Sequence, residues 1–168
     1  MVFLIGMPGS GKSYWGRILA EELNMPLIDM DDLISASEGE SISNIFEQKG
    51  AVYFRNKETE ILEHIIRNSS SNTIVACGGG TPVYHNNIKK MKANGCVIFL
   101  STDINVLFDR LKRDNTRPLI SNIDKKDTLQ QMLEQRKEIY EQAHYVLNAE
   151  KLSLTTFAKT IQLCIDRL

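Results

Sequence analysis

The sequence lacks a strong charge of either sign and any long apolar run. Its 168 residues include 20 basic and 21 acidic side chains, for a net charge of −1, which disfavours a broad surface for nucleic acid or anionic lipid. No apolar stretch approaches the roughly 20 residues that a membrane-spanning helix needs. The chain begins with the pattern of a buried strand, so no signal peptide is expected. We therefore expect a single cytoplasmic domain over residues 1–168 that contacts neither nucleic acid nor membrane, and nothing indicates an obligate oligomer, which favours a monomer.

Cysteine and histidine are scarce, with three residues of each. Cys77, Cys96 and Cys164 lie in apolar stretches, and no two are close in sequence, which disfavours a metal site built from cysteine. The pattern instead predicts three buried thiols in a reducing compartment.

Glycine is not abundant either, with ten residues in all, but three of them lie together near the start, in GMPGSGKS at residues 6–13. This segment matches the G-x-x-x-x-G-K-[ST] phosphate-binding loop, in which the lysine reaches the β- and γ-phosphates and the last hydroxyl ligates Mg²⁺. Glycines at the turns let backbone N–H groups surround a triphosphate, and the next helix points its N-terminus at the phosphates. A chance match is the alternative, which the flanking apolar run and amphipathic helix disfavour. The loop predicts ATP and Mg²⁺ as cofactors, bound by Gly9, Ser10, Gly11, Lys12 and Ser13, with Lys12 catalytic.

Short apolar runs alternate with helical periods along the rest of the chain. The strand candidates are residues 2–5, 26–28, 73–77, 96–100 and 145–147. The helix candidates are residues 12–23, 31–37, 42–48, 51–67, 85–93, 103–113, 126–142 and 153–167. Because most of the runs are continuously apolar, they predict an α/β fold whose mostly parallel sheet is covered by helices on both faces. Ligands in such folds bind at the carboxyl ends of the strands.

Two aspartates follow the second strand candidate. In an extended segment Asp29 and Asp31 would point to the same side, and like charges so close favour a cation or a hydroxyl donor between them. One would then act near Mg²⁺ while the other orients a substrate hydroxyl. The alternative is a helix N-cap, because Asp is favoured there and a helix could start at residue 32. The two interpretations are compatible.

Three successive glycines, Gly78, Gly79 and Gly80, end the third strand candidate. Their cost in conformational entropy is justified where a backbone must lie flush against a ligand. A flexible turn before Pro82 is the alternative.

Two arginines lie on or beside apolar helix faces. Arg136 falls inside the apolar stripe of the 126–142 helix, where a buried guanidinium needs an anionic partner. Arg55 lies at the edge of another apolar face, with Glu58 one turn on. Both could make structural ion pairs or extend to solvent. Alternatively, the two could bind one carboxylate in the bidentate manner typical of arginine, although the sequence does not show that they converge.

A polar loop over residues 113–127 has little periodicity and contains Arg117. A phosphoryl-transfer lid needs a cation that reaches the transferred phosphate on closure, which Arg117 could supply. A solvated basic loop is the alternative.

The motifs then coincide with one family. In chain order GMPGSGKS, DMD, FRNKE, GGG, RPLI and the set Arg136, Tyr140 and Ala143 resemble the shikimate kinases over residues 3 to about 148. The resemblance implies a nucleoside monophosphate kinase-like fold with five parallel strands in the order 2-3-1-4-5, a substrate-binding region near residues 31–60 and a lid near residues 112–124. It also implies transfer of the ATP γ-phosphate to the 3-hydroxyl of shikimate, a step towards chorismate and the aromatic amino acids.

The resemblance also assigns roles to residues. On the acceptor side, Asp31 would hold the hydroxyl, Arg55 and Arg136 would bind the shikimate carboxylate, and the three glycines would line the pocket. On the nucleotide side, Ser13 would ligate Mg²⁺ directly and Asp29 through water. The remaining nucleotide contacts would come from the backbone of Tyr14, from Arg110 against the adenine and from the catalytic Arg117 over the phosphates.

Two other functions compete with this one. Another kinase of the same fold, such as a gluconate kinase, would also bind a carboxylate and hydroxyls, although the set of Asp31, Arg55, Arg136 and the triple glycine favours shikimate. A regulatory nucleotide-binding module would be expected to have lost a charged catalytic residue, whereas Lys12, Asp31 and Arg117 are all present. One departure from the family pattern is Ala51, which stands where a Glu is common and could alter a local pairing.

Overall fold

The computed structural model describes residues 1–112 and 126–166. Five parallel strands form one sheet in the order β2-β3-β1-β4-β5. Their bounds are β1 Val2–Ile5, β2 Leu27–Asp29, β3 Ile74–Ala76, β4 Cys96–Ser101 and β5 Tyr145–Asn148. This is the predicted order, with β1 in the centre because it pairs with both β3 and β4.

Seven helices are assigned in the described residues, and they cover both faces of the sheet. Their bounds are α1 Lys12–Glu22, α2 Met30–Glu38, α3 Ile42–Asn68, α4 Asn87–Asn94, α5 Ile104–Lys112, α6 Lys126–Tyr140 and α7 Leu154–Ile165. None of them is long and apolar enough to cross a membrane.

Alternate residues of β1 enter two separate cores, which explains its unbroken apolar run. Phe3 and Ile5 pack with buried side chains from α2 to α6. Val2 and Leu4 face the opposite side and pack with buried residues of α1 and α7. The three-layer arrangement expected of a parallel sheet buried on both faces is therefore confirmed.

The two helices expected at residues 42–48 and 51–67 are both present and follow each other directly as the two limbs of α3, with a kink at the non-helical Gly50. There φ is 78° and ψ is 172°, a conformation that is almost exclusive to glycine. A Cβ on Gly50 would meet no atom within 4 Å, so its backbone conformation, and not lack of space, is what requires glycine.

The expectation of three free thiols is wrong for two of them. Cys96 and Cys164 form a disulfide with their Cα atoms 5.5 Å apart, whereas Cys77 is free and buried. Both bridged residues belong to the core shared by α1 and α7, so packing α7 against β4 brings together cysteines that are 68 positions apart. Separation along the chain gave no indication of this contact.

Candidate active site

The segment between β1 and α1 forms an open turn made by glycines. Gly9 and Gly11 have φ values of 80° and 93°, in the left-handed region that glycine adopts most readily. Gly11 precedes α1, and no side chain caps the helix. The first N–H groups of α1 therefore have no side-chain acceptor, as expected for an anion-binding helix N-terminus.

Lys12 is only 8% exposed. Its Nζ donates hydrogen bonds to the carbonyl oxygens of Gly6 and Met7, at 3.0 and 2.9 Å. Ser10 is fully buried, and its backbone N–H donates to the Met7 carbonyl at 3.1 Å. The loop is thus tied together by its own lysine and backbone.

A cavity of about 530 Å³ opens beside the loop. It is lined by residues from the loop and the start of α1, from the end of β2 and the first turn of α2, and from the end of β3, α5 and the segment after β5: Gly9, Gly11, Lys12, Ser13, Tyr14, Trp15, Asp29, Asp31, Cys77, Arg110, Leu111 and Ala149. Most of the residues predicted to bind nucleotide or metal are therefore brought together. Within the described residues, Ser10 is the one predicted contact that does not line this cavity.

Asp29 and Asp31 both face this cavity, but not as neighbours in an extended strand. Asp29 is the N-cap of α2 and its Oδ1 accepts a hydrogen bond from the Asp31 backbone N–H at 3.1 Å. Asp31 therefore lies in the first turn of α2, where the helix dipole favours a carboxylate. The extended geometry was wrong because the helix begins at Met30. An aspartate does cap this helix, as the N-cap interpretation expected, but the cap is Asp29 because the helix starts two residues before position 32.

The donors around the cavity fit Mg²⁺. Ser13 supplies a hydroxyl and Asp29 a carboxylate, and both line the same cavity. Mg²⁺ in phosphoryl-transfer sites takes oxygen ligands, commonly one or two from the protein and the rest from phosphates and water. In the described ranges no three His, Cys, Asp or Glu residues form a metal-binding group, and such a site does not need one.

The triple glycine accommodates neighbouring protein groups. A Cβ on Gly78 would lie 2.5 Å from Glu58 Oε1 and 3.0 Å from Asp31 Oδ1, and one on Gly79 would lie 2.8 Å from Pro8 Cδ. A Cβ on Gly80 would overlap the Arg55 guanidinium. The immediate reason for these glycines is thus close approach of the site's own side chains to the backbone, and the flexible-turn interpretation is not needed.

Arg55 is held by a buried carboxylate. Its Nη1 pairs with Glu58 Oε2, and Glu58, only 1% exposed, accepts a second hydrogen bond at Oε1 from Thr81 Oγ1 at 2.6 Å. Burial raises the pKa of the Glu58 carboxyl, and the Arg55 guanidinium opposes that rise. The structural ion pair considered for Arg55 is therefore present.

Three aromatic rings surround the Arg55 guanidinium. Its Cζ lies 5.6, 5.3 and 4.7 Å from the ring centres of Phe46, Phe54 and Tyr84. Such contacts stabilise a cation at a desolvated site. They also fix where the guanidinium lies.

Arg136 is 8% exposed. No ion pair joins it to a carboxylate in the described part of the chain, and its guanidinium lies close to the Tyr140 hydroxyl. Burial raises the pKa of the Tyr140 hydroxyl, and the Arg136 guanidinium opposes the rise. The Tyr140 hydroxyl donates to the Gly79 carbonyl at 2.7 Å. Arg55 thus lies against Gly80, and Arg136 is connected to Gly79 through Tyr140. Their spacing in the sequence alone does not show that the two arginines lie near the same glycines.

Arg110 lies at the other end of the site. Its Nη1 donates to the Gly9 carbonyl at 2.9 Å, and its side chain lines the cavity. Arg117 and nearly all of the predicted lid lie outside the described residues.

Sequence reasoning missed several residues of the site. Thr81 donates to Glu58, but a threonine before a proline gives no distinctive signal. Tyr140 was part of the family pattern, although its hydrogen bond to the Gly79 carbonyl did not follow from that pattern. Ala149 and Cys77 line the cavity because they follow β5 and β3. Position at a strand end was the available signal for both.

Comparison with known proteins identifies the family. The family model for shikimate kinase matches residues 8–166. A shikimate kinase of Sulfurihydrogenibium sp. (strain YO3AOP1) is 41% identical over 166 residues, which cover 99% of this chain and 98% of that protein.

Solved structures agree. Shikimate kinase from Acinetobacter baumannii in complex with shikimate has a TM-score of 0.88 at 32% identity, covering 99% of this chain and 93% of that chain. Shikimate kinase from Bacteroides thetaiotaomicron has a TM-score of 0.87 at 29% identity, covering 98% and 97%. With a family match over nearly its whole length and a relative 41% identical over 99% of the chain, the chain belongs to the shikimate kinase family.

Proposed function

We propose that the phosphate loop, the cavity beside it and the two buried arginines form the site of this chain's reaction. As a shikimate kinase, the chain transfers the γ-phosphate of ATP to the 3-hydroxyl of shikimate with Mg²⁺, which gives shikimate 3-phosphate and ADP on the route to chorismate and the aromatic amino acids. Arg136 carries the assignment of the site, because it is buried without a carboxylate partner among the described residues.

Arg136 and Arg55 bind the shikimate carboxylate. A desolvated guanidinium is costly unless an anion pairs with it, and a bidentate carboxylate satisfies its planar donors. Glu58 already pairs with Arg55 and so orients it, whereas Arg136 is left to the substrate. Gly78, Gly79 and Gly80 lie between the two arginines and Asp31 and form the floor of the acceptor pocket.

Asp31 holds the 3-hydroxyl for attack. Its carboxylate faces the cavity at the start of α2 and lies against Gly78, so it joins the acceptor pocket to the phosphate loop. Phosphoryl transfer of this kind depends mainly on positioning and charge stabilisation. Accepting a hydrogen bond from the hydroxyl is therefore its first role, and accepting the proton a second.

The loop and its neighbours bind ATP. The N–H groups from Gly9 to Tyr14 surround the phosphates, and Lys12 turns from the Gly6 and Met7 carbonyls to the β- and γ-phosphates. Arg110 lies against the adenine. Ser13 and Asp29 hold Mg²⁺, which neutralises phosphate charge when bound. Arg117 is assigned from sequence alone, as the cation that closes over the transferred phosphate.

The chain acts as a cytoplasmic monomer on a small-molecule substrate, without nucleic acid or membrane. Its net charge of −1 supports this proposal. Light scattering should give the mass of one chain, 19.1 kDa, and a value twice as large would contradict the monomer.

ADP release from Mg·ATP tests the function when measured with shikimate, gluconate, AMP or no acceptor. Release should depend on shikimate and should be lost in Lys12→Ala, which controls for contaminating kinases. Release that depends on gluconate instead would show that the phosphoryl acceptor is gluconate and not shikimate. ATP binding without acceptor-dependent release would favour a regulatory module.

A further inference from the structure

One carboxylate outside the proposed contacts joins two helices of the substrate-binding region. Glu38 is the last residue of α2, and its side chain is only 8% exposed. Its Oε2 accepts hydrogen bonds from Lys49 Nζ and Tyr53 Oη, both at 2.8 Å. Its Oε1 lies 3.2 Å from Lys57 Nζ. Three donors on α3 therefore converge on a single side chain.

These donors lie on both sides of the kink in α3. Lys49 immediately precedes Gly50, whereas Tyr53 and Lys57 follow it by three and seven positions. The backbone conformation at Gly50 sets the angle between the two limbs of α3. Glu38 binds both limbs at once and so restrains that angle from outside the helix.

The donors around Glu38 keep its carboxyl group ionised at neutral pH. Hydrogen bonds from Lys49 and Tyr53, with Lys57, lower the pKa of Glu38 to about 2. Glu40 lies 3.5 Å from Lys49, and Glu60 lies 3.1 Å from Lys57. Both lysines therefore have a second carboxylate, and Glu38 is the one that connects them.

The cluster also links two parts of the proposed site. Asp31 and Glu38 lie on α2 seven residues apart, about two turns along the same face. Arg55 lies between Tyr53 and Lys57 in sequence, and residues two apart on a helix point to nearly opposite sides. The outer side of this limb therefore binds Glu38, while its inner side presents Arg55 to the triple glycine.

We propose that Glu38 is a positioning residue for shikimate, which sets the separation between Arg55 and Asp31 by fixing α3 to α2. The inference rests on the proposed roles of those two residues. Shikimate must reach both at once, through its carboxylate and its 3-hydroxyl, so their separation must match one rigid ligand.

The test is Glu38→Gln, with initial rates measured while each substrate is varied. The KM for shikimate should rise about tenfold, while the KM for ATP and kcat stay within about twofold, because a lost positioning contact weakens binding of ground state and transition state alike. Tyr53→Phe removes one donor of the three and should give a smaller rise in the same KM. It also provides a milder test if Glu38→Gln unfolds.

Glu63→Gln is the matched control. Glu63 also lies on α3 and pairs with a lysine of another helix, Lys90, at 2.6 Å, but it is far along the helix from Gly50. This variant should leave both KM values unchanged. An equal rise of the shikimate KM in the control, or of both KM values in Glu38→Gln, would overturn the proposal.

A double variant tests whether Glu38 acts through Arg55. In an Arg55→Lys background, Glu38→Gln should change the shikimate KM by less than about twofold, because coupled residues are non-additive. Full additivity would overturn the inference. Arg55→Lys alone distinguishes the two proposals: no change in its shikimate KM would remove the proposed role of Arg55, whereas a rise there without one in Glu38→Gln would overturn only the positioning role.

Discussion

At the scale of single residues, the two arginines of the proposed acceptor pocket have different partners. Arg55 forms an ion pair with Glu58, a buried carboxylate that also accepts a hydrogen bond from Thr81. Three aromatic rings surround its guanidinium. Arg136 lies beside the Tyr140 hydroxyl and has no ion pair among the described residues. The cost of keeping Arg136 buried is therefore recovered most fully when an anion binds. Arg55 is held in place beforehand.

Arg136→Ala should raise the KM for shikimate about 100-fold, since a charge-assisted hydrogen-bonded pair is worth about 2–3 kcal/mol. The KM for ATP should stay nearly constant, because Arg136 does not line the nucleotide cavity. Steady-state kinetics with each substrate varied measure both values. Lys137→Ala, at a neighbouring side chain that is 61% exposed, is the control, and equal losses for the two substrates would contradict carboxylate binding.

Asp31→Asn should lower kcat about 100-fold or more, in the range of a lost acid–base or orienting group. The fold should persist, because Asp29 and not Asp31 caps α2. Rates and far-UV circular dichroism check the two halves of this prediction. Asp32→Asn in the same helical turn should keep normal turnover, and a near-normal rate in Asp31→Asn would remove Asp31 from the mechanism.

At the scale of elements, the junction of α2 with α3 contains two glycines whose positive φ angles disfavour any other residue. Gly39 ends α2 with φ 67° and ψ 15°, and Gly50 kinks α3 with φ 78° and ψ 172°. A Cβ would have open space at both positions. A difference in the effect of substituting the two glycines should therefore come from their backbone angles and not from steric contacts.

Gly50→Ala should destabilise the protein by about 1–3 kcal/mol, because its angles fall in a region that other residues scarcely enter. Gly39→Ala should cost only about 1 kcal/mol, since the left-handed helical region is less strained. Urea unfolding gives both values. An equal or smaller loss at Gly50 would mean that α3 straightens without penalty.

Glu38 makes the same junction sensitive to acid. Its folded pKa is lowered from the ordinary 4.5 to about 2, chiefly by the Lys49 hydrogen bond. A lowered carboxyl pKa contributes stability that is present above 4.5 and lost as the pH falls towards 2. The gap in unfolding midpoint between wild type and Glu38→Gln should therefore be constant near neutrality and shrink through that window. A gap that stays constant down to the lower limit would contradict this assignment.

At the scale of the whole molecule, the features that could be predicted are those that depend on local sequence patterns. The strand and helix bounds agree to within a few residues, because unbroken apolar runs and helical periods are local signals. Family motifs supplied the strand order. The Cys96–Cys164 bridge and the hydrogen bond from Tyr140 to Gly79 could not be predicted, because each joins segments that are brought together by packing alone. The resemblance implied that Arg55 lies in the same pocket as the triple glycine, but not its close approach to Gly80.

Thiol labelling tests the most distant of these contacts. Unfolded protein without reductant should take up one alkylating label, at Cys77, and three after reduction. Closing 68 residues should add up to about 4 kcal/mol of stability by chain entropy, so reduction should lower the unfolding midpoint. Three labels without reductant would mean that the thiols are free, as a reducing cytoplasm favours.

The central place of β1 also has a consequence for biosynthesis. β1 pairs with β3 and β4, so its hydrogen-bonding partners begin at Ile74 and Cys96. During translation, the phosphate loop is made before either neighbour of its supporting strand, so β1 stays unpaired until β3 and then β4 have been synthesised. The phosphate loop is thus made before its framework, and because unpaired strands are prone to aggregate, we expect a chaperone to protect this segment of the nascent chain.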